Sequence, residues 1–351
     1  MSKAIGVDVG TMFFQTAEND QDGKLSLKEI RNAFVELEAS EDIEQVLTQN
    51  DWQYVSDGKH YYVLGEDSMR VARMFPGKVE LRRPMQGGVL NKGEDKKMLV
   101  MAKMIESSVG KAPDENSLVC ICISSDPVDG AQDNLFHKVR LEGMFKRLGW
   151  NIKVIEEGHA IILSENPSVT LADGKRIPFS GIGVSFGAGK VNCVLAYRGL
   201  SVVGMSAARS GDWIDTKVAE QTGVPLAKVT NVKENKLDFN NIDYDDDVIF
   251  ALDAYYDNMI TYVFKNFAKK LLEREGEFEA PLDIVIAGGT SMPKGFRDKV
   301  KSVVDGLDLP FEIKDVIHSE DPRNAVVKGL LTQAIISQKK LKDKKIDEML
   351  E

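Results

Sequence analysis

Short hydrophobic runs recur along this chain, and several of them end in a glycine turn. The first three runs predict consecutive strands at residues 4–9, 12–17 and 24–30. The pattern returns in the second half, where three more strands are predicted at residues 181–186, 190–198 and 200–205. Two copies of a hairpin-led unit, each followed by helices, indicate a duplicated α/β fold.

Helical spacing follows the strands in both halves. Apolar positions predict helices over residues 66–73, 96–107, 129–148, 211–221, 226–235, 245–274 and 325–336, with further strands at 61–64, 118–124, 152–156 and 283–287. One side of the helix over 129–148 is predicted to carry Leu135, Val139, Leu141 and Phe145. The charged run 338–351 is expected to be a solvated terminal helix or tail.

Two acidic stretches have competing interpretations. Around residues 19–23, seven residues match the position pattern of an EF-hand calcium loop: Glu18, Asp20, Asp22, Gly23, Leu25, Ser26 and Glu29. The preceding residues are strand-like rather than helical, so a plain turn is favoured over the calcium loop. The run Asp245-Asp246-Asp247 precedes a helix, and a helix cap is favoured there over a metal cluster.

Composition and charge narrow the functional classes. The 351 residues are enough for two domains, and 43% apolar with 28% charged residues is typical of a globular protein. The net charge of −10 argues against nucleic acid as a main partner. The three cysteines are expected to be buried free thiols, and no signal peptide or spanning run is recognised, so a cytoplasmic location is expected.

The candidate chemistry lies at the glycine turns. Glycine lets backbone N–H groups approach an anion that a Cβ would keep away. The turns after residues 5–9 and 182–186 could therefore hold one polyphosphate, and the third strand-to-glycine stretch, residues 284–293, could hold the rest of a nucleotide.

In chain order, five segments resemble the motifs of the actin-like ATPase superfamily. They correspond to the first phosphate loop, the first connecting helix, the second phosphate loop, the adenosine loop and the second connecting helix: residues 6–11, 155–160, 183–190, 287–292 and 322–329. Residues 81–90, 155–157 and 210–215 are similar to the bacterial actins of the MreB/MamK type. The resemblance implies a prokaryotic protein with a duplicated actin-like (ribonuclease H-like) fold and two domains around a nucleotide cleft.

The same resemblance implies domain limits. Domain I would cover residues 1–157, with a small subdomain at about 33–80, and would be completed by the C-terminal helix 325–351. Domain II would cover residues 158–324, with a helical subdomain at about 211–275.

The resemblance also assigns site residues. ATP would be contacted by residues of both phosphate loops, of the ribose and adenosine edge, and of the adenosine loop: Gly10, Thr11, Met12, Gly187, Ala188, Gly189, Lys190, Gly211, Asp212, Lys233, Glu234, Gly288, Gly289, Thr290 and Met292. Asp8 would hold Mg²⁺ through water. Glu157 would orient the attacking water, with Glu156 as the alternative; both could also be ordinary surface carboxylates.

The second phosphate loop departs from the family pattern. Ser185 stands where Asp is usual, and Lys190 stands where Thr or Ser is usual. Lys190 could place a cation on the phosphates or be an exposed strand residue. These two differences from the family pattern are expected to affect the rate of hydrolysis more than the binding of the nucleotide.

The resulting functional expectation is an actin-like ATPase that binds ATP and Mg²⁺ and polymerises with copies of itself into cytoskeletal filaments. The alternatives are a non-polymerising nucleotide-dependent scaffold and a small-molecule kinase on the same core. No membrane anchor is evident, because no amphipathic N-terminal helix or apolar insertion loop stands out.

Overall fold

The computed structural model describes residues 2–90, 95–129, 134–165, 168–170, 174–273 and 281–350. Contacts between Cα atoms divide the chain into two compact units. The first unit comprises Met1–Ile121, Asp133–Lys153 and Ala334–Glu351, and the second comprises Cys122–Gln132 and Val154–Gln333. Parts of the predicted helices and domains, including residues 130–133, 274–275 and 351, lie outside the described residues.

The chain up to residue 156 forms these elements: β1 (Ala4–Val9), β2 (Phe13–Asn19), β3 (Leu25–Arg31), β4 (Phe34–Glu38), α1 (Glu41–Gln49), β5 (Tyr54–Ser56), β6 (His60–Leu64), α2 (Gly65–Met74), β7 (Leu81–Arg82), β8 (Met85–Gln86), β9 (Val89–Leu90), α3 (Asp95–Val109), β10 (Leu118–Ile123), α4 (Asn134–Arg147) and β11 (Asn151–Glu156). The main sheet has the order β11-β10-β1-β2-β3, and a smaller sheet has the order β5-β6-β4-β7. The smaller sheet packs its own apolar core against α1 and α2 through Val35, Leu47, Tyr61, Val63 and Val71.

The remaining elements are α5 (Glu157–Glu165), β12 (Ser168–Thr170), β13 (Arg176–Pro178), β14 (Gly181–Phe186), β15 (Val191–Tyr197), β16 (Leu200–Ala207), α6 (Gly211–Thr222), α7 (Leu226–Asn235), α8 (Asp247–Leu272), β17 (Leu282–Ala287), α9 (Phe296–Asp305), β18 (Ile313–His318) and α10 (Ala325–Leu350). The main sheet of the second unit has the order β16-β15-β14-β17-β18. Its core includes much of α8 and an aromatic cluster of Phe186, Phe239, Tyr256 and Phe296.

The two main sheets repeat one topology. β1 pairs antiparallel with β2 and parallel with β10, and β14 pairs antiparallel with β15 and parallel with β17. In both sheets three consecutive antiparallel strands lie beside strands that return after intervening helices. The fold is therefore duplicated, as the hydrophobic pattern predicts.

The four apolar residues predicted on one side of α4 do not share a buried face. Leu135 and Val139 are 70% and 57% exposed, although Leu141 and Phe145 are buried. The buried side instead includes His137, whose ring Nδ1 accepts a hydrogen bond from the backbone of Leu90 at 3.2 Å. Because this buried position carries a polar residue, the apolar pattern alone selected the wrong neighbours.

The two acidic stretches form a turn and a helix cap. β2 enters the turn at residues 20–23, and Asp20 Oδ1 accepts hydrogen bonds from the backbone N–H groups of Asp22 and Lys24. Asp246 caps the N-terminus of α8, where its side chain accepts hydrogen bonds from the backbone N–H groups of Val248 and Ile249. The plain turn and the helix cap are thus the correct interpretations. Among the described helices, none combines the length and apolar character needed to cross a membrane.

Candidate functional site

Each unit contains a tight hairpin turn that only glycine can begin. Gly10 N–H donates to Phe13 O at 3.0 Å, and Gly187 N–H donates to Lys190 O at 3.0 Å. A Cβ atom on residue 10 or 187 would lie 2.8 or 2.7 Å from the same carbonyl oxygen. Both glycines are required by this close approach to the main chain.

The turn of the first unit is held from one side by Asn32. This fully buried residue donates from Nδ2 to Gly10 O at 2.8 Å and from its backbone to Met12 O at 2.9 Å. Thr11 Oγ1 accepts from Gly88 N at 3.1 Å, and Asp8 lies partly exposed near the end of β1. Sequence reasoning missed Asn32, because an asparagine after a strand carries no distinguishing local pattern.

The turn of the second unit is joined to the start of α6. Gly211 N–H donates to Gly187 O at 3.1 Å, and Asp212 N–H donates to Ala188 O at 2.8 Å. Thr290 Oγ1 also donates to Gly187 O, at 2.9 Å. The structure therefore brings these five sequence-predicted residues into one network.

The loop after β17 packs closely on β14. Gly288 has φ of +101°, and a Cβ atom there would lie 2.5 Å from Phe186 O, so this position requires glycine. Thr290 is buried within the unit, whereas Gly289 and Met292 are exposed. These exposed residues can contact a ligand that lies on the loop.

Lys233 and Glu234 point to different surroundings. Lys233 Nζ forms a buried ion pair with Asp215 Oδ1 at 2.8 Å, which lacks hydrogen-bond geometry, and donates to Gly211 O at 3.0 Å. Glu234 is exposed. Lys233 thus holds the start of α6 by two contacts of its ammonium group, one to the main-chain oxygen of Gly211 and one to the side chain of Asp215.

Glu157 lies at the start of α5, and two neighbouring strands hold its carboxylate. Ser185 Oγ donates to Oε1 at 2.6 Å, and Asn192 Nδ2 donates to Oε2 at 2.8 Å. Ser185 and Asn192 are each 1% exposed. The carboxylate is therefore fixed beside the glycine turn by two buried donors.

Glu156 makes a separate set of contacts. Its carboxylate accepts from Ser125 Oγ at 2.6 Å and from Ser201 Oγ. The adjacent glutamates thus bind different residues, as expected where side chains alternate at the end of a strand. The carboxylate of Glu157 is the one that lies near the glycine turn, 3.9 Å from the position of a Cβ atom on residue 187.

Lys190 is buried, which rules out the alternative of an exposed strand residue. Only 4% of Lys190 is accessible to solvent. Burial lowers the pKa of the Lys190 ammonium to about 8, while the carboxylates of Glu157 and Asp129 act in the opposite direction. The turn therefore carries a cationic group close to Glu157.

Two helices meet the core of the second unit through main-chain contacts. A Cβ atom on Gly183 of β14 would lie 2.1 Å from Gly158 O in α5. A Cβ atom on Gly329 of α10 would lie 1.7 Å from Ala160 O. The absence of side chains at these glycines sets the close packing of α5, which carries Glu157.

Comparisons with known proteins identify the family and the fold. A model of the Volactin family matches residues 3–334. The structure is similar to a MamK double helical filament, with a TM-score of 0.68 and 18% identity, over 95% of this chain and 99% of that chain.

Two structures of MreB5 from Spiroplasma citri are also similar. The one bound to AMPPNP has a TM-score of 0.66 and 14% identity over 99% of both chains. The one bound to ADP has a TM-score of 0.66 and 13% identity over 97% of this chain and 99% of that chain. No match is found among curated proteins. These similarities show the duplicated actin-like fold.

Proposed function

The chain belongs to the Volactin family, and from this premise we propose that it is an actin-like ATPase that binds ATP and Mg²⁺, hydrolyses ATP and assembles with copies of itself into cytoskeletal filaments. The observation that carries the catalytic part is the carboxylate of Glu157, held by Ser185 and Asn192 beside a glycine turn. The assembly part is supported by the likeness to a MamK double helical filament.

Phosphate binding is attributed to the two glycine turns. Gly187, Ala188 and Gly189 offer backbone N–H groups without large side chains in the way. The buried ammonium of Lys190 adds positive charge to the same turn, which favours a polyphosphate. Gly10, Thr11 and Met12 are proposed to play the same role in the first unit.

Nucleoside contacts are attributed to the loop after β17. Gly288 and Thr290 shape this loop, and the exposed Gly289 and Met292 are proposed to pack against adenosine. In the related MreB5, the structures bound to AMPPNP and to ADP show that the same fold accommodates an adenine nucleotide.

Magnesium is attributed to Asp8. Its carboxylate lies partly exposed near the end of β1, directly before the glycine turn. The chemistry of this position fits Mg²⁺, which takes one or two protein carboxylates and keeps several waters. When bound, Mg²⁺ neutralises charge on the phosphate oxygens.

Glu157 is proposed to orient the water that attacks the terminal phosphorus. The water oxygen forms the new bond to phosphorus while the bond to the bridging oxygen breaks, which yields ADP and phosphate. A carboxylate that is held in one orientation contributes by positioning this water and accepting its hydrogen bond.

One solution experiment tests the proposal. Light scattering and phosphate release are followed together after ATP and Mg²⁺ are added, with ADP as the matched control. We expect scattering to rise only with ATP and phosphate to be released. Nucleotide binding without scattering or turnover would support the scaffold instead, and turnover stimulated by a sugar with flat scattering would support the kinase. Glu157→Ala should slow release and leave nucleotide affinity nearly unchanged.

A further inference from the structure

The two phosphate-turn hairpins correspond residue by residue, and this exposes a difference between them. Asp8 precedes Gly10 by two residues, as Ser185 precedes Gly187. Asp8 pairs across the hairpin with Gln15, and Ser185 pairs with Asn192. Ser185 therefore occupies the position at which the first unit has a carboxylate.

The paired polar residues make different contacts in the two units. In the first unit, Gln15 Nε2 donates to Glu29 at 2.8 Å. In the second unit, Asn192 Nδ2 donates to Glu157, and Ser185 contributes a second donor to the same carboxylate at 2.6 Å. In the second hairpin, both positions are thus directed to one acid from another element.

We propose that Ser185 and Asn192 are positioning residues that hold the Glu157 carboxylate in its working orientation, and that the hydroxyl replaces a carboxylate at position 185 for this purpose. The inference rests on the proposed ATPase function. An aspartate at position 185 would bring a second negative charge to within hydrogen-bond distance of Glu157, and two adjacent carboxylates cannot easily both be ionised. A serine hydroxyl instead donates to the ionised form and stabilises it.

The orientation of the Asn192 amide supports the same conclusion. Its Oδ1 atom is buried and has no hydrogen-bond partner in the described part of the chain. Leaving a buried acceptor unpaired costs stability. Asn192 thus donates to Glu157 in an orientation that leaves its own Oδ1 atom without a hydrogen bond in the described part of the chain.

Lys190 completes the electrostatic setting. It stands at the position that Phe13 occupies in the first hairpin, because each residue closes its turn through its carbonyl oxygen. Its buried charge interacts with Glu157. An ammonium group near the carboxylate favours the ionised acid that the two donors require.

The test combines turnover with substitution of each donor. Ser185→Ala should lower kcat about tenfold, as expected for one lost hydrogen bond to a charged group, with little change in KM. Ser185→Thr keeps the hydroxyl and should restore most of kcat. Ser201→Ala is the matched control, because it removes a serine donor from Glu156 rather than from Glu157. It should leave kcat unchanged.

A double-mutant cycle separates positioning from a general loss of structure. In a Glu157→Ala background, Ser185→Ala should cause no further loss of kcat, because the group that it orients is gone. Multiplying losses in the double mutant, or an equal loss in Ser201→Ala, would overturn the proposal. Thermal unfolding of each variant identifies any that fail to fold.

Hydrogen exchange gives a readout that does not depend on turnover. In the nucleotide-free full chain, NMR measures exchange of the Asn192 side-chain amide hydrogens with solvent. Ser185→Ala should speed this exchange about tenfold by releasing the carboxylate that the amide binds, and Ser185→Thr should not. Unchanged exchange in Ser185→Ala refutes the positioning role. Absence of ATP turnover in the wild type refutes the proposed function instead, and the exchange result then still decides the positioning role.

Discussion

The buried ion pair between Lys233 and Asp215 allows a quantitative prediction about stability. Their side chains are 8% and 4% exposed, and the charged atoms lie 2.8 Å apart. Lys233→Met removes the ion pair and the hydrogen bond to Gly211 O, and it leaves the Asp215 carboxylate buried without its cation. Breaking a buried pair by removing one partner costs about 3–5 kcal/mol. We expect a loss of this size in the free energy of unfolding.

Urea unfolding of the full chain, followed by circular dichroism, measures this loss. The matched control is Lys217→Met in α6, the helix that carries Asp215, because the side chains of Lys217 and its partner Glu220 are 41% and 59% exposed. Solvent screening makes that pair weak, so the control should unfold nearly like the wild type.

A second substitution tests the cause of the loss. Lys233→Met combined with Asp215→Leu should regain most of the lost stability, because no unpaired charge then remains buried. Losses that add in the double variant would refute the reasoning. A normal unfolding curve with strongly reduced ATP affinity in Lys233→Met would instead assign Lys233 to the nucleotide.

Three further predictions concern the metal, the helix packing and the buried lysine. Asp8→Asn should weaken ATP binding in Mg²⁺ and leave binding in EDTA unchanged in a fluorescence titration; equal weakening in both would contradict a metal role. Gly329→Ala should destabilise the chain to urea by about 1–3 kcal/mol, because its Cβ would lie 1.7 Å from Ala160 O, whereas Gly143→Ala has open space and should be tolerated. The folded pKa of Lys190, about 8, lies below its ordinary 10.5, so the unfolded state binds more protons between these pH values. The free energy of unfolding of the wild type, measured in urea, should therefore rise relative to Lys190→Met from pH 8 to 10.5, and a constant difference would contradict this.

Elements with strong local signals could be predicted closely from the sequence. β1, β14 and α7 have the predicted limits, residues 4–9, 181–186 and 226–235. Their patterns end at glycine turns or other breaks, and hairpin pairing joins neighbours in the chain. The duplicated topology followed from the repetition of these local signals.

Contacts between distant residues could not be predicted in the same way. Ser185 and Asn192 meet Glu157 across 28 and 35 residues of chain, and no periodicity specifies such a contact. The burial of Lys190 depends on elements packed around the turn, and the buried face of α4 depends on a polar contact of His137. These features are set by tertiary packing, which overrides local propensity.

Glu156 at the end of β11 and Glu157 directly after it contact different residues. A shift of one residue along a strand reverses every side chain to the other face. Residues 156 and 157 are both glutamates, so hydrophobicity cannot distinguish the observed alignment of β11 from one that is shifted by one residue. The bonds from Ser125 and Ser201 to Glu156 make the distinction. These two bonds therefore show which of the two alignments β11 adopts.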